Sequence, residues 1–173
     1  MEQGKGKIEE VITVEEQQYN PTFMKAAMEV ARKAVEHGEI PVGCVLVVDG
    51  EIVASGETRV ARGGPACHGE NGMLESLGHG VWSIASRAVL YTNLEPCLMC
   101  LGACINAGIT TIFYGRAATE DGGVRYLPGI VAAGGPVLHV VGPTISDEVD
   151  VMLRDYLATS QNAGGIEYVR TLL

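Results

Sequence analysis

Two short segments carry residue types that bind a transition metal. The segment CHGENGMLE contains His68 and Glu70, and the segment EPCLMC contains Cys97 and Cys100. Thiolate and imidazole are ligands that zinc prefers in proteins, and three protein ligands leave one tetrahedral position open for water. The two segments therefore predict a catalytic zinc site whose ligands are His68, Cys97 and Cys100.

The spacing of these residues places them at the starts of two helices. Cys97 and Cys100 follow Pro96, which suits the first helical position, so both sulfurs project from one side of the first turn. The unpaired N–H groups and the positive end of the helix dipole favour thiolates there. His68 begins another predicted helix, and Glu70 lies in its first turn, within reach of the open metal position.

This arrangement predicts hydrolytic chemistry. Zinc lowers the pKa of a bound water to about 7, so a zinc-bound hydroxide is available to attack an amino-bearing carbon. Glu70 would act as the proton shuttle, taking the proton of that water and then delivering protons to the ring nitrogen and to the departing amine. A redox pair or half of a structural zinc site would explain the Cys-x-x-Cys pair alone, but not Pro96 and His-x-Glu beside it. Cys44 and Cys104 are predicted to be core thiols.

Length, composition and charge restrict the class of protein. The chain has 173 residues, 47% of them hydrophobic, which is enough for one globular core. We expect a leader over 1–20 and a single domain over 21–173 with a C-terminal helix and tail. The net charge of −9 and the scattered basic residues disfavour nucleic acid, and no apolar run is long enough for a membrane span. Five cysteines, an odd number, argue against a complete disulfide framework and favour the cytoplasm.

Hydrophobic periodicity predicts the elements that position the site. The run PVGCVLVV, followed by Asp49-Gly50 and EIVASG, predicts a hairpin. Helices are expected from Pro21 to Gly38 and over 68–77, 96–108 and 146–158, and further strands over 87–94, 110–115 and 136–141. Strands that alternate with helices imply an α/β sandwich, and the hairpin makes its sheet mixed.

The two motifs together are typical of zinc deaminases. From about Pro41 to Tyr126 the chain resembles the cytidine deaminase-like superfamily, and within it the fungal-type cytosine deaminases. His68-Gly69-Glu70 resembles that branch, because tRNA adenosine deaminases usually carry alanine at the middle position. The resemblance implies a three-layer α/β/α sandwich with a mixed five-stranded sheet, one zinc ion per subunit and a homodimer.

Positions at which this chain differs from the family indicate which residues would contact the substrate. Family members usually place an asparagine after the second strand, whereas this chain has Thr58, whose single hydroxyl reads a base edge differently. Glu120 stands where cytosine deaminases place an aromatic residue that stacks on the substrate. Thr58, Gly69 and Glu120 are the candidate substrate-binding residues. The tail IEYVRTLL is amphipathic and is expected to be a lid or a dimer contact.

The leading hypothesis is hydrolytic deamination of a small free nucleobase or related cyclic amidine, cytosine-like rings first. Guanine, other purines, triazines and creatinine-like rings remain alternatives. A tRNA adenosine or nucleoside deaminase is disfavoured by the acidic charge, so the expected partner is a small heterocycle and neither nucleic acid nor membrane. A non-catalytic zinc-binding interaction module is disfavoured by Glu70, which a structural zinc site would not need.

Overall fold

The structure, a computed structural model, describes residues 18–173. The predicted leader therefore lies outside the described residues, apart from its last three positions. The strands are β1 Gly43–Val48, β2 Glu51–Glu57, β3 Ala88–Leu94, β4 Thr111–Arg116 and β5 His139–Val141. The helices are α1 Pro21–Glu36, α2 Val60–Gly63, α3 Gly69–Leu77, α4 Val81–Ile84, α5 Leu98–Ala107, α6 Leu127–Ala132, α7 Ser146–Thr159 and α8 Ala163–Leu172.

The five strands form one mixed sheet in the order β2-β1-β3-β4-β5. β1 is antiparallel to both β2 and β3, while β3, β4 and β5 run parallel. The β1–β2 turn places Asp49 and Gly50 at positive φ, 51° and 83°, as a type I′ hairpin turn requires. The predicted hairpin and mixed sheet are confirmed.

Side chains alternate across the sheet and define three layers. On one face, Val45 and Val47 of β1 pack in the same core cluster as Met24 of α1. On the other face, Cys44 and Leu46 of β1 join a cluster with α3 and α5 that also contains Met73, Leu90 and Leu101. Helices therefore cover both faces, and the predicted α/β/α sandwich is confirmed.

The C-terminal helices α7 and α8 pack beside α1. Buried residues of α7 and α8 share one core cluster with Met28 and Ala31 of α1. The predicted amphipathic tail is thus the helix α8, which buries Val169 and Leu172. Within residues 18–173, no helix is long and apolar enough to cross a membrane.

Three details differ from the sequence expectations. α5 begins at Leu98 rather than Pro96, because Cys97 is extended (φ −67°, ψ 169°) and serves as its N-cap. The short helices α2, α4 and α6 were not predicted, since four to six residues carry too little periodicity. β5 has three residues and is shorter than the predicted strand, and it pairs only with β4 at the sheet edge.

Tyr156 of α7 provides a stability prediction. Its hydroxyl is buried and has no hydrogen-bond partner among the described residues. A buried unsatisfied hydroxyl costs about 1–3 kcal/mol, so we expect Tyr156→Phe to stabilise the protein by about 1 kcal/mol and to raise Tm by about 2–4 °C. The matched control is Tyr91→Phe, which loses a hydrogen bond from the Asn20 amide to the Tyr91 hydroxyl (3.2 Å) and should lower Tm. Equal destabilisation by both variants would contradict the prediction.

Candidate active site

The structure brings the three predicted metal ligands together. Nδ1 of His68 lies 3.6 Å from Sγ of Cys97, and one ligand atom from each of His68, Cys97 and Cys100 lies within 4.8 Å of the other two. Tetrahedral zinc with bonds of about 2.3 Å to sulfur and 2.0–2.1 Å to nitrogen would separate a nitrogen and a sulfur ligand by about 3.6 Å. The cluster fits zinc, and its three donors leave a fourth position for water.

Two helix N-termini set this geometry. His68 is the N-cap of α3, and Cys97 is the N-cap of α5 with Cys100 in the first turn. Both N-caps have extended backbone angles, which turn their side chains toward the shared space between the helices. The positive ends of both helix dipoles favour anionic ligands at this point.

The protonation of the cluster suits metal binding. The hydrogen bond from Cys100 is the main cause that lowers the pKa of Cys97 to about 4, and the same bond raises the pKa of Cys100. The hydrogen bond with Cys97 raises the pKa of His68. The thiolate form of Cys97 is therefore favoured, and a metal cation that binds there displaces the protons that the other ligands hold, as zinc ligands require.

Glu70 lies beside the cluster as a buried carboxylate. It is 3% exposed and occupies the first turn of α3. Oγ1 of Thr92, on β3, donates a hydrogen bond to Oε1 of Glu70 at 3.0 Å. Glu70 lines the cavity, and it is not one of the three residues that form the ligand cluster in the described part of the chain.

Glu95 holds the loop that follows β4 against the metal segment. Its carboxylate accepts hydrogen bonds from the amides of Ala118 and Val124, each at 3.0 Å. The Gly123 amide donates to the Pro96 carbonyl at 2.8 Å, and Gly122 forms a β-bridge with Cys97. The loop therefore braces the backbone of Cys97.

Gly123 provides a prediction about metal affinity. A Cβ at this position would lie 2.9 Å from the backbone of Cys97 and Leu98, closer than real Cβ contacts allow. We expect Gly123→Ala to displace Cys97 and to weaken zinc binding about tenfold or more in a chelator competition. The control is Gly102→Ala, whose Cβ would meet nothing within 4 Å and which should bind zinc as the wild type does. Equal zinc affinity in the two variants would contradict the role of the loop.

A cavity of about 450 Å³ opens above the cluster, a size typical of small-ligand pockets. His68, Glu70 and Cys97 lie in its wall together with residues of α2, the loop after β4, and α8. From α8, the Tyr168 hydroxyl donates to the Asp121 carboxylate at 3.2 Å. Burial is the main cause that raises the pKa of Tyr168, so its hydroxyl stays protonated. Residues of α8 thus line the cavity in which the cluster sits.

The short helix α2 is held by a buried acid. Glu39, which is 1% exposed, accepts hydrogen bonds from the amides of Ala61 and Arg62 and from Nε of Arg62. Arg62 also donates to Glu57 at 2.8 Å. These bonds fix Val60 and Ala61, which line the cavity opposite the loop after β4.

The three candidate substrate residues occupy different places. Thr58 is buried and lines the cavity. Gly69 is not among the lining residues; it packs against β2, where a Cβ would lie 2.7 Å from the Gly56 carbonyl oxygen. Glu120 is exposed and is not among the lining residues either, whereas its neighbour Asp121 is.

Several residues at the site were not singled out by sequence reasoning. Thr92 and Glu95 flank the segment that leads into Pro-Cys-x-x-Cys, and their polar side chains at the end of a buried strand were the available signal. Tyr168 lies within the amphipathic tail, but its contact with Asp121 depends on the path of α8. Glu39 follows a helix-ending glycine and gave no sequence signal for burial.

A buried carboxylate beside an open three-ligand metal cluster is the arrangement of a metal-dependent hydrolase. Comparison with known proteins identifies the class as a deaminase, a hydrolase that acts on C–N bonds. Residues 17–116 match the family model described as the cytidine and deoxycytidylate deaminase zinc-binding region. The chain belongs to this family, and zinc is the metal for which its His/Cys/Cys cluster is suited.

Similar proteins include enzymes named for tRNA and for guanine. The tRNA-specific adenosine deaminase of Streptococcus pyogenes serotype M1 is 37% identical over 118 residues, which are 66% of this chain and 67% of that protein. A structure from a study of A-to-I editing by tRNA:A34 deaminases has a TM-score of 0.59 and 32% identity, covering 70% of this chain and 98% of that chain. The structure of guanine deaminase from Nitrosomonas europaea has a TM-score of 0.69 and 21% identity. The match covers 83% of this chain and 87% of that chain, and it shows a shared fold.

These comparisons correct two expectations. The superfamily is confirmed, but the relatives named above at more than 30% identity are tRNA adenosine deaminases rather than fungal-type cytosine deaminases. The prediction of a small heterocycle as partner, without nucleic acid, was wrong, because it conflicts with similarity to proteins that are named for tRNA. Net charge is a sum over the whole surface, and it does not report whether one nucleotide can enter one cavity.

Proposed function

We propose that the protein hydrolytically deaminates an adenine ring presented by a tRNA. The buried Glu70 carboxylate beside the His68, Cys97 and Cys100 cluster carries the proposal for the reaction. The choice of adenine in tRNA is supported by relatives at 37% and 32% identity that are named for this substrate. In the proposed reaction a C–O bond forms and a C–N bond breaks at the amino-bearing carbon, with one water consumed and ammonia released.

The chain's own residues perform the proton transfers. When bound, zinc acts as a Lewis acid that lowers the pKa of a coordinated water to about 7. Glu70 accepts the proton of that water and passes it to the ring nitrogen beside the amino-bearing carbon. It then takes the second proton from the newly attached hydroxyl and delivers it to the amino group, which leaves as ammonia. Its burial excludes bulk water from these transfers, and its place in the cavity wall puts the carboxylate beside the ring.

The cavity is suited to one extruded base. A base inside folded RNA cannot reach a buried site, so it must leave its stack and enter alone. Thr58 presents one hydroxyl that donates and accepts, and Tyr168 places an aromatic ring in the wall. The lining residues include no lysine or arginine, so we expect the phosphates to stay outside the cavity.

The test uses purified, zinc-loaded protein and an anticodon stem-loop RNA with adenosine at the first anticodon position. Inosine is measured by mass spectrometry after nuclease digestion, and the control RNA carries guanosine at the same position. Free adenine, adenosine, guanine and cytosine are assayed in parallel for ammonia. Inosine formation that Glu70→Gln abolishes supports the proposal. Ammonia from a free base, with no inosine in the RNA, would overturn it.

A further inference from the structure

Thr92 is a buried polar residue at the site whose role the reaction alone does not require. It is 0% exposed, lies on β3, and faces the same side of the sheet as Leu90, toward α3 and α5. Its neighbours across the sheet are Cys44 on β1 and Tyr114 on β4. A threonine hydroxyl in this central position has to find a partner, because an unsatisfied buried hydroxyl is costly.

The partner of Thr92 is the proposed proton-transfer group. Its Oγ1 donates to Oε1 of Glu70 at 3.0 Å. The buried thiols of Cys44, Cys100 and Cys104 also lie near this carboxylate. Thiols are weak donors, and Thr92 therefore supplies the strong hydrogen bond to this carboxylate.

We infer that Thr92 is a positioning residue that holds one oxygen of Glu70 and leaves the other directed at the cavity. The terminal torsion of a glutamate is soft, so a carboxylate without a fixed partner samples a range of orientations. A hydroxyl anchored on a central strand restricts that range, because the strand is paired on both sides. This inference rests on the proposed function, in which Glu70 moves the protons.

Positioning predicts a specific kinetic signature. Thr92 does not appear among the cavity-lining residues, so its replacement should not change how the substrate binds. A misoriented base slows the chemical step, and groups that orient an active-site residue typically contribute about 10- to 100-fold in activity. Thr92→Val should therefore lower kcat by about 10- to 100-fold and leave KM unchanged. Thr92→Ser, which keeps the hydroxyl, should restore most of the activity.

The experiment compares wild type, Thr92→Val, Thr92→Ser and Glu70→Gln, each with rates expressed per bound zinc so that metal loss does not enter. Wild-type KM, a kcat reduced in Thr92→Val and a kcat recovered in Thr92→Ser support the inference. Equal kcat in Thr92→Val and wild type, or equal loss in the Val and Ser variants, would overturn it, even while Glu70→Gln is inactive. Should Thr92→Val not fold, Thr92→Ser and Thr92→Ala are compared in the same way. An active Glu70→Gln would instead contradict the proposed function.

Discussion

Glu70→Gln is expected to lose activity by about 10²- to 10⁴-fold while it keeps its zinc, because glutamine matches the shape of glutamate but cannot accept a proton. Glu70 is buried next to the metal cluster, and the hydrogen bond from Thr92 can still be accepted by the amide oxygen. The measurement is inosine or ammonia formation together with zinc content. More than a tenth of wild-type activity in a fully zinc-loaded variant would contradict the assignment of Glu70.

A second control separates charge from chemistry. Glu95 also carries a carboxylate in the cavity wall, but it accepts two backbone hydrogen bonds and braces a loop. Glu95→Gln loses the charge and keeps one of the two acceptor oxygens, so it retains one of the two backbone hydrogen bonds. We expect it to lose far less activity than Glu70→Gln, because Glu95 takes no proton in the proposed reaction. An equal loss in both variants, with zinc fully bound in each, would contradict the assignment of proton transfer to Glu70 alone.

Cys100→Ala is expected to abolish zinc binding, whereas Cys104→Ala is expected to retain it. Both thiols are 0% exposed and lie one turn apart on α5, but only Cys100 belongs to the ligand cluster. The two variants lose the same atom from similar surroundings, so packing cost is matched and metal coordination differs. Zinc per chain, measured by atomic emission, should fall from about one to near zero in Cys100→Ala alone.

The same pair makes a stability prediction. A metal that binds the folded state stabilises it by RT ln(1 + [L]/Kd), which is about 4 kcal/mol at a thousandfold excess over Kd. Cys104→Ala should therefore still gain Tm on zinc addition, and Cys100→Ala should not. A zinc-dependent rise in Tm for Cys100→Ala would contradict its role as a ligand.

The sheet and the metal segments were predictable because local signals agreed with the final fold. The turn at Asp49-Gly50 needs two positive φ angles, which fixes a hairpin from sequence alone. Cys97 and Cys100 could be placed on one side of a helix start, because residues three positions apart lie on the same face of a helix. α5 begins two residues after the predicted start at Pro96, because Cys97 is extended and forms a bridge with Gly122 before the helix.

The substrate side of the cavity was less predictable because its residues come from distant segments. Asp121 and Tyr168 are 47 positions apart, and their hydrogen bond depends on how α8 returns across the fold. Asp121 lines the cavity and its neighbour Glu120 does not. The path of the glycine-containing loop decides which of the two side chains faces the cavity, and sequence spacing does not fix that path. The exclusion of nucleic acid failed for another reason, since a net charge of −9 does not describe one cavity.

The most direct test of the account is the source of oxygen in the product. The zinc-loaded protein is incubated with the adenosine-containing stem-loop RNA in water enriched in oxygen-18, and the nucleosides are analysed by mass spectrometry. Hydrolytic deamination predicts inosine that carries one solvent oxygen at the former amino-bearing carbon, formed by the wild type and not by Glu70→Gln. Absence of inosine with zinc fully bound, or inosine without the label, would contradict the account.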